Sequence, residues 1–220
     1  MKRDIVTSLI GIIVFTILLG LVYPLAITGI SQVAFPGDAN GQQIHLGGKL
    51  VGSRIIGQSF AKPVIGKNGK PEEKEGELVT EADPRYFQSR PSATEGGAYN
   101  AAASTFSNRG PNSTRTKEAD EENLKAYLEL EKPYDPGLTA AQVPVDAVNT
   151  SASNLDPEIS QANAWIQAHR IAAKRGLSLS VVNGLISKYT SGRGLGFTGE
   201  EGVNVLELNL ALDRLTGGTH

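Results

Sequence analysis

Cysteine is absent from the 220 residues, which excludes disulfides, thiol nucleophiles and cysteine-held metal. Histidine is scarce: His45, His169 and His220 are scattered without ligand-like spacing, so no metal site is expected. No charged side chain lies between Asp4 and Asp38, and no basic one between Arg3 and Lys49. Elsewhere acids and bases are interleaved around a formal net charge of -2. That balance leaves no basic face for nucleic acid. Walker A, G-x-S-x-G and H-E-x-x-H sequences are missing too, so no catalytic residue is assigned and hydrolysis by the chain alone is not expected. No internal repeat is visible.

What fills the first charge gap is apolar. A helix rises about 1.5 Å per residue, so a ~30 Å hydrocarbon layer takes ~20 apolar residues. The run from Ile5 to about Val33, with Leu9, Ile13, Phe15, Leu18 and Leu21 at its heart, is long enough, and a helix satisfies its own backbone in lipid. Tyr23 and Pro24 stand toward its far end, where an aromatic ring and a helix-disturbing proline suit an interface. A cleaved signal has an apolar core of only ~7–15 residues, whereas this run continues through Leu25-Ala26-Ile27. One span is expected, about residues 8–30 of an anchor covering 1–35. Lys2 and Arg3 precede it and the next base is Lys49. The positive-inside rule then puts the N-terminus in the cytoplasm and residues 36–220 outside the inner membrane.

Those residues suffice for one mixed α/β domain with a small sheet. Lys49–Phe60 reads as a strand or bent strand pair, because β-branched pieces alternate with glycine. Residues 61–85 are crowded with charge and nearly devoid of apolar side chains, which predicts a mobile external loop. Residues 94–112, rich in Gly, Ala, Ser and Asn, read as a long loop. A helix is expected from an N-cap at Thr116 to Pro133. Asp156-Pro157-Glu158 reads as the clearest helix start, with Ile159, Ala162, Ile166 and Ala173 on one face and Gly176 as the stop. Ser178 or Ser180 caps a further helix through Tyr189. Val203–Leu215 alternates and then densifies; its composition favours helix.

Few stretches carry chemistry. Gly194, Gly196 and Gly199 match G-x-G-x-x-G, but a predicted helix and a turn precede them instead of a strand, so they read as a flexible link. Thr150–Ser153 before the expected helix start at Asp156 suits capping of free N–H groups, and an anion site at that helix end is the functional counterpart. Gln167 and Arg170 share a face. Surface positions, hydrogen bonding at a core edge and contacts to a partner all fit that spacing.

A set of short motifs runs through the chain in order: Ile56-Gly57-Gln58-Ser59-Phe60, Tyr86-Phe87, Arg90-Pro91-Ser92-Ala93, Tyr99-Asn100, Ser107-Asn108 with Gly110-Pro111, and Val143-Pro144-Val145-Asp146. Thr150-Ser151-Ala152-Ser153 with Asp156-Pro157 follows, then Gln167 with Arg170, Arg175-Gly176-Leu177, and Leu208-Asn209-Leu210-Ala211-Leu212-Asp213. With the N-terminal span, these resemble the C subunit of the bacterial Kdp potassium-transporting ATPase over nearly the whole chain. Asn154 departs from the glycine usual there, Thr105-Phe106 from Gly-Gly, and His169 from a common proline. The P-type phosphorylation signature Asp-Lys-Thr-Gly is missing, as suits a non-catalytic subunit. The resemblance implies an accessory subunit needed for assembly with three partners: a channel-like potassium-binding subunit, an ATP-hydrolysing subunit and a small single-span subunit. It also implies a catalytic chaperone that raises ATP affinity, with Gln167 and Arg170 as nucleotide contacts and ATP as the cofactor. Arg90, Pro91, Ser92, Tyr99, Asn100, Ser153 and Asp156 are the expected family surface. ATP is cytoplasmic, so the topology favours a different role, a cover over the external potassium entrance. The competing class is a membrane-anchored extracytoplasmic binding protein unrelated to a pump.

Overall fold

The computed structural model describes residues 1–74, 76–104, 108–110, 112–194 and 196–217. Thr105, Phe106, Ser107, Pro111 and His220, named above, lie outside the described residues, as does one position inside the Gly194–Gly199 motif. The chain divides into two compact units, Met1–Ser53 and Arg54–His220.

The first unit opens on one helix spanning Lys2–Ala34, none of it buried. Helix α1 (Lys2–Ile17) passes through a π turn at Leu18–Val22 into α2 (Tyr23–Ala34). Pro24 explains the turn. It has no N–H to give and its ring crowds the carbonyl four residues back. The helix widens there, and the Tyr23 N–H bonds to the Leu18 carbonyl five residues earlier. Leu9, Ile13, Phe15, Leu18, Leu21 and Tyr23 are all 46–61% exposed, and Pro24 is exposed as well. A short helix α3 (Pro36–Ala39) closes the segment. Strands β1 (Gln43–Leu46) and β2 (Lys49–Ser53) then pair antiparallel. The strand expected over Lys49–Phe60 therefore ends at Ser53, whose hydroxyl donates to the Gly41 carbonyl.

The second unit is a mixed α/β domain. Residues 61–85, expected as a loop, carry two antiparallel pairs: β3 (Ala61–Pro63) with β6 (Thr80–Ala82), and β4 (Glu73–Lys74) with β5 (Glu77–Leu78). Main-chain pairing needs no apolar face, and Lys62 meets Glu81 across β3 and β6 at 3.1 Å. Helix α4 (Thr114–Glu131) starts at Ser113, three residues before the expected cap.

Asp156-Pro157-Glu158 does not begin a helix. Strand β7 (Glu158–Ile159) lies there, and α5 (Gln161–Arg175) starts at Ser160, whose hydroxyl accepts from the Asn163 N–H. Asp156 still caps a turn, accepting from the Glu158 N–H at 3.1 Å, but β7 must stay extended to pair with β9 (Gly202–Asn204). This offset moves the buried face of α5. Ala164, Ala168 and Ile171 are buried with Asn163, Gln167 and Arg170, while Ala162 and Ala173 face outward. Gly176 ends the helix left-handed, as expected.

Ser178 caps α6 (Leu179–Lys188). Strand β8 (Thr190–Ser191) joins β9 on its other side, giving a three-stranded sheet in the order β7-β9-β8. The ambiguous last segment is both structures in turn, for Asn204 ends β9 and caps α7 (Val205–Thr216). Ile171, Val182, Ile186, Val203, Leu208 and Leu212 are fully buried. Each contributes about 1.5–3 kcal/mol by leaving water. A satellite cluster forms from Tyr127, Leu138 and Ala147.

Candidate functional site

Two polar assemblies stand out in the domain, one interior and one at the surface. The interior one holds the chain segment 84–88 without a strand partner. The Gln167 side chain accepts from the Gln88 N–H at 2.7 Å and donates to the Gln88 carbonyl at 3.0 Å. One residue earlier Asn209 of α7 does the same for Phe87, at 2.9 and 3.0 Å. Arg170 donates from Nη1 to the Pro84 and Tyr86 carbonyls at 2.8 and 2.9 Å. Arg175 donates from Nε to the Arg85 carbonyl. Side chains thus replace the ladder that a neighbouring strand would supply, because buried peptide groups must be paired.

Behind this clamp, Arg170 Nε meets Glu131 Oε1 at 2.9 Å, both side chains 0–1% exposed. Burial raises the Glu131 carboxyl above its ordinary range, against the pull of Arg170. Asn163 ties the layers together, accepting from the Tyr127 hydroxyl and from Gln167. Burial likewise raises the Tyr127 phenol. At the edge, Arg175 pairs with Asp213 at 2.7 Å and stacks over the Tyr86 ring at 4.6 Å.

Gln167 and Arg170 therefore lie in the interior, the core-edge alternative carried to full burial. Gln167 spends both donors and both acceptor positions inside the chain, since it also accepts from Arg170. As arranged here the pair does not fit a nucleotide. The expected anion site fares similarly. The N-terminus of α5 already has a carboxylate, Asp146, which accepts from the Ser160 N–H at 2.8 Å, the Ser160 hydroxyl at 2.8 Å and the Asn163 amide at 3.0 Å.

The surface assembly gathers the other predicted residues. Arg90 Nη1 pairs with Asp156 at 2.9 Å, and Nη2 donates to Asn149 at 3.3 Å. The Tyr99 hydroxyl donates to the Arg90 carbonyl, and burial pushes its pKa up to about 12. Ser92 accepts from the Tyr99 N–H and donates to the Asn154 carbonyl. The Asn100 amide donates to the Glu95 carbonyl. Ser153 accepts from the Leu155 N–H at 3.2 Å, a turn contact. Asn154 is left-handed at φ 59, a conformation open to glycine and tolerated by asparagine. Its side chain accepts from the Ala93 N–H. Pro91, Ser92 and Ala93 then form one wall of a cleft of about 650 Å³. Gly57 lets Tyr99 close over it: a Cβ there would collide with the Tyr99 ring and stand 2.6 Å from the Asp156 carbonyl.

Gly194 and Thr198 bridge as a tight turn, and among the described residues no strand-to-helix cradle for a phosphate forms there. Among the described residues, no three His, Cys, Asp or Glu side chains cluster as a metal site.

A family model described as K+-transporting ATPase, c chain, matches residues 5–214. The chain belongs to the KdpC family. A potassium-transporting ATPase KdpC subunit of Methylococcus capsulatus is 45% identical over 94% of this chain and 96% of its own. Those of Koribacter versatilis and Mycobacterium tuberculosis are 41% and 43% identical, over 97% and 98% of this chain and 95% and 100% of theirs.

In this KdpC chain the motif residues are largely those whose side chains hold backbone. Sequence reasoning missed Glu131, Asn163, Asn209 and Asp213. Asn163, Gln167 and Arg170 recur at helical spacing among alanines, and Asn209 with Asp213 do so among leucines. A polar stripe on an otherwise apolar face is the signal that could have found them. Nothing local marks Glu131 as the partner of Arg170.

Proposed function

We propose that this chain is the membrane-anchored, non-catalytic accessory subunit of a potassium-transporting ATPase. It assembles with the channel-like, ATP-hydrolysing and small single-span subunits, and its α/β domain covers the external potassium entrance. The carrying observation is the helix Lys2–Ala34: nowhere buried, apolar, and flanked by bases at its N-terminal end alone. An apolar helix of that length needs lipid or other spans around it, and the bases before it favour the extracytoplasmic side of the cytoplasmic membrane for the domain. ATP is then on the opposite side, and the engaged side chains of Gln167 and Arg170 argue in the same direction. A catalytic chaperone that raises ATP affinity would need its domain in the cytoplasm.

Extraction in mild detergent tests the assignment. The intact chain should bring down the other pump subunits. A variant made polar across Gly11–Leu21 should lose them. A self-contained binding protein would purify alone with a small ligand, and that result overturns the proposal.

A further inference from the structure

The outer face of α4 carries a charge pattern that is its own complement when reversed. Glu121, Lys125, Glu129 and Lys132 run acid, base, acid, base along the C-terminal half of the helix. Residues three and four apart share a helix face, so these four border Leu124 and Leu128. The six residues line an open groove of about 570 Å³ with a largely apolar floor. The four charged side chains are exposed and the two leucines half-buried. Tyr127 and Glu131, which α4 buries against the domain, lie on another side of the helix. We propose that this face pairs with the same face of a second copy of the chain, the two α4 helices running antiparallel.

Charge complementarity selects the occupant. A two-fold axis passing between Ala126 and Tyr127 sets Glu121 opposite the partner's Lys132, Lys125 opposite the partner's Glu129, and Leu124 opposite the partner's Leu128. Each contact then occurs twice, as a self-complementary interface requires. A parallel pairing in register sets each residue beside its own copy, acid by acid and base by base, and is disfavoured. Within one chain the same charges are only loosely engaged. Lys125 reaches Glu129 at 4.0 Å and Lys117 reaches Glu121 at 3.7 Å, all four side chains 63–79% exposed. Such surface pairs contribute little, so exchanging them for pairs across the axis costs little. The gain comes from covering the leucines, with the lysine stems lying over them. One helix face is well below the roughly 800 Å² per partner of a standard interface, so the contact is weak between free molecules. Of the functional reading above, the pairing needs only the membrane anchor, which holds copies together at high effective concentration.

Charge reversal tests the register. Two N-terminal fluorescent fusions of the full chain, different in colour and co-expressed in one membrane with the other pump subunits, report pairing by energy transfer. Lys125→Glu sets two acids against each other at both ends of the pair, and Glu129→Lys sets two bases there. Either change, made in both fusions, should weaken pairing on the order of tenfold. One fusion carrying Lys125→Glu and the other Glu129→Lys should restore it, because every reversed residue then faces its complement. Both positions are exposed, so each variant should melt with the unmodified chain. Reversed chains that pair as well as the unmodified one, or a mixture that fails to recover, overturn the inference. So does loss of the other pump subunits from a reversed chain whose pairing is unchanged, which would give the face to one of those subunits. An unmodified chain that shows the charge-dependent pairing but retains no pump subunit supports the inference and overturns the functional reading alone.

Discussion

Replacing Gln167 by leucine separates a clamp from a ligand contact. The change keeps the volume roughly constant and removes four hydrogen bonds: two to the Gln88 peptide, one from Arg170 and one to Asn163. Asn163 keeps Tyr127 as a donor, so the groups left short are the Gln88 N–H, the Gln88 carbonyl and one edge of Arg170. A buried group that loses its partner costs about 1–3 kcal/mol, partly offset by the apolar leucine, which puts the loss at about 3 kcal/mol. For a chain of this size that lowers the melting temperature by roughly 6–12 °C. The full chain in mild detergent can be followed by the fluorescence of Trp165, the sole tryptophan. Gln161→Leu, which breaks one bond to Thr190, is the control and should shift melting by less than about 3 °C. A Gln167→Leu chain that melts like wild type yet weakens ATP binding by the pump would refute the clamp and restore the nucleotide contact.

Gly57→Ala should destabilise by about 1–3 kcal/mol through overpacking, because the new methyl meets the Tyr99 ring and the Asp156 carbonyl; the same melting assay reads it, and an unchanged midpoint would mean that Tyr99 does not close over the glycine. Acid should loosen the 83–85 turn. Burial works to raise the Asp83 pKa, but hydrogen bonds and charge from Arg85 outweigh it and hold it below 3.8. A folded pKa below the unfolded one gives stability that is present above the unfolded value and lost as pH falls through the folded one. Melting temperatures taken from pH 5 to pH 2 should therefore fall less steeply in Arg85→Ala than in wild type, and parallel curves would discount the pair. Asp213→Asn should cost about 3 kcal/mol by leaving Arg175 without its charge partner, visible as a lower denaturation midpoint; a change under about 0.5 kcal/mol would place the pair among surface contacts.

Elements whose cause is local were legible. The long apolar N-terminal helix, the Gly176 stop and the Ser178 cap follow from composition or a single residue. Elements set by distant pairing were not. Glu158 and Ile159 carry a helix-start pattern, yet Val203 and Asn204 draw them into a sheet. That one displacement misplaced the buried face of α5 and left Gln167 and Arg170 open to several readings. The charged stretch after Ala61 was misread because strand pairing was judged by apolar content, when main-chain bonds and a Lys62–Glu81 bridge carry it. For the surface cleft the motifs named the walls, Arg90 to Ala93 and Thr150 to Asn154, without showing that they face each other. Left-handed Asn154 and the methyl-free side of Gly57 close that arrangement, and both depend on neighbours far away in sequence.

The sidedness of the domain is the claim on which the rest depends, and the absence of native cysteine makes it directly measurable. A single thiol placed at Ser187, on the exposed face of α6, and in a second chain at Lys2, can be probed in intact cells with a membrane-impermeant maleimide. Labelling at position 187 before permeabilisation, and at position 2 only after it, is the predicted result. The reverse order would put the domain in the cytoplasm beside ATP and contradict a cover over the external potassium entrance.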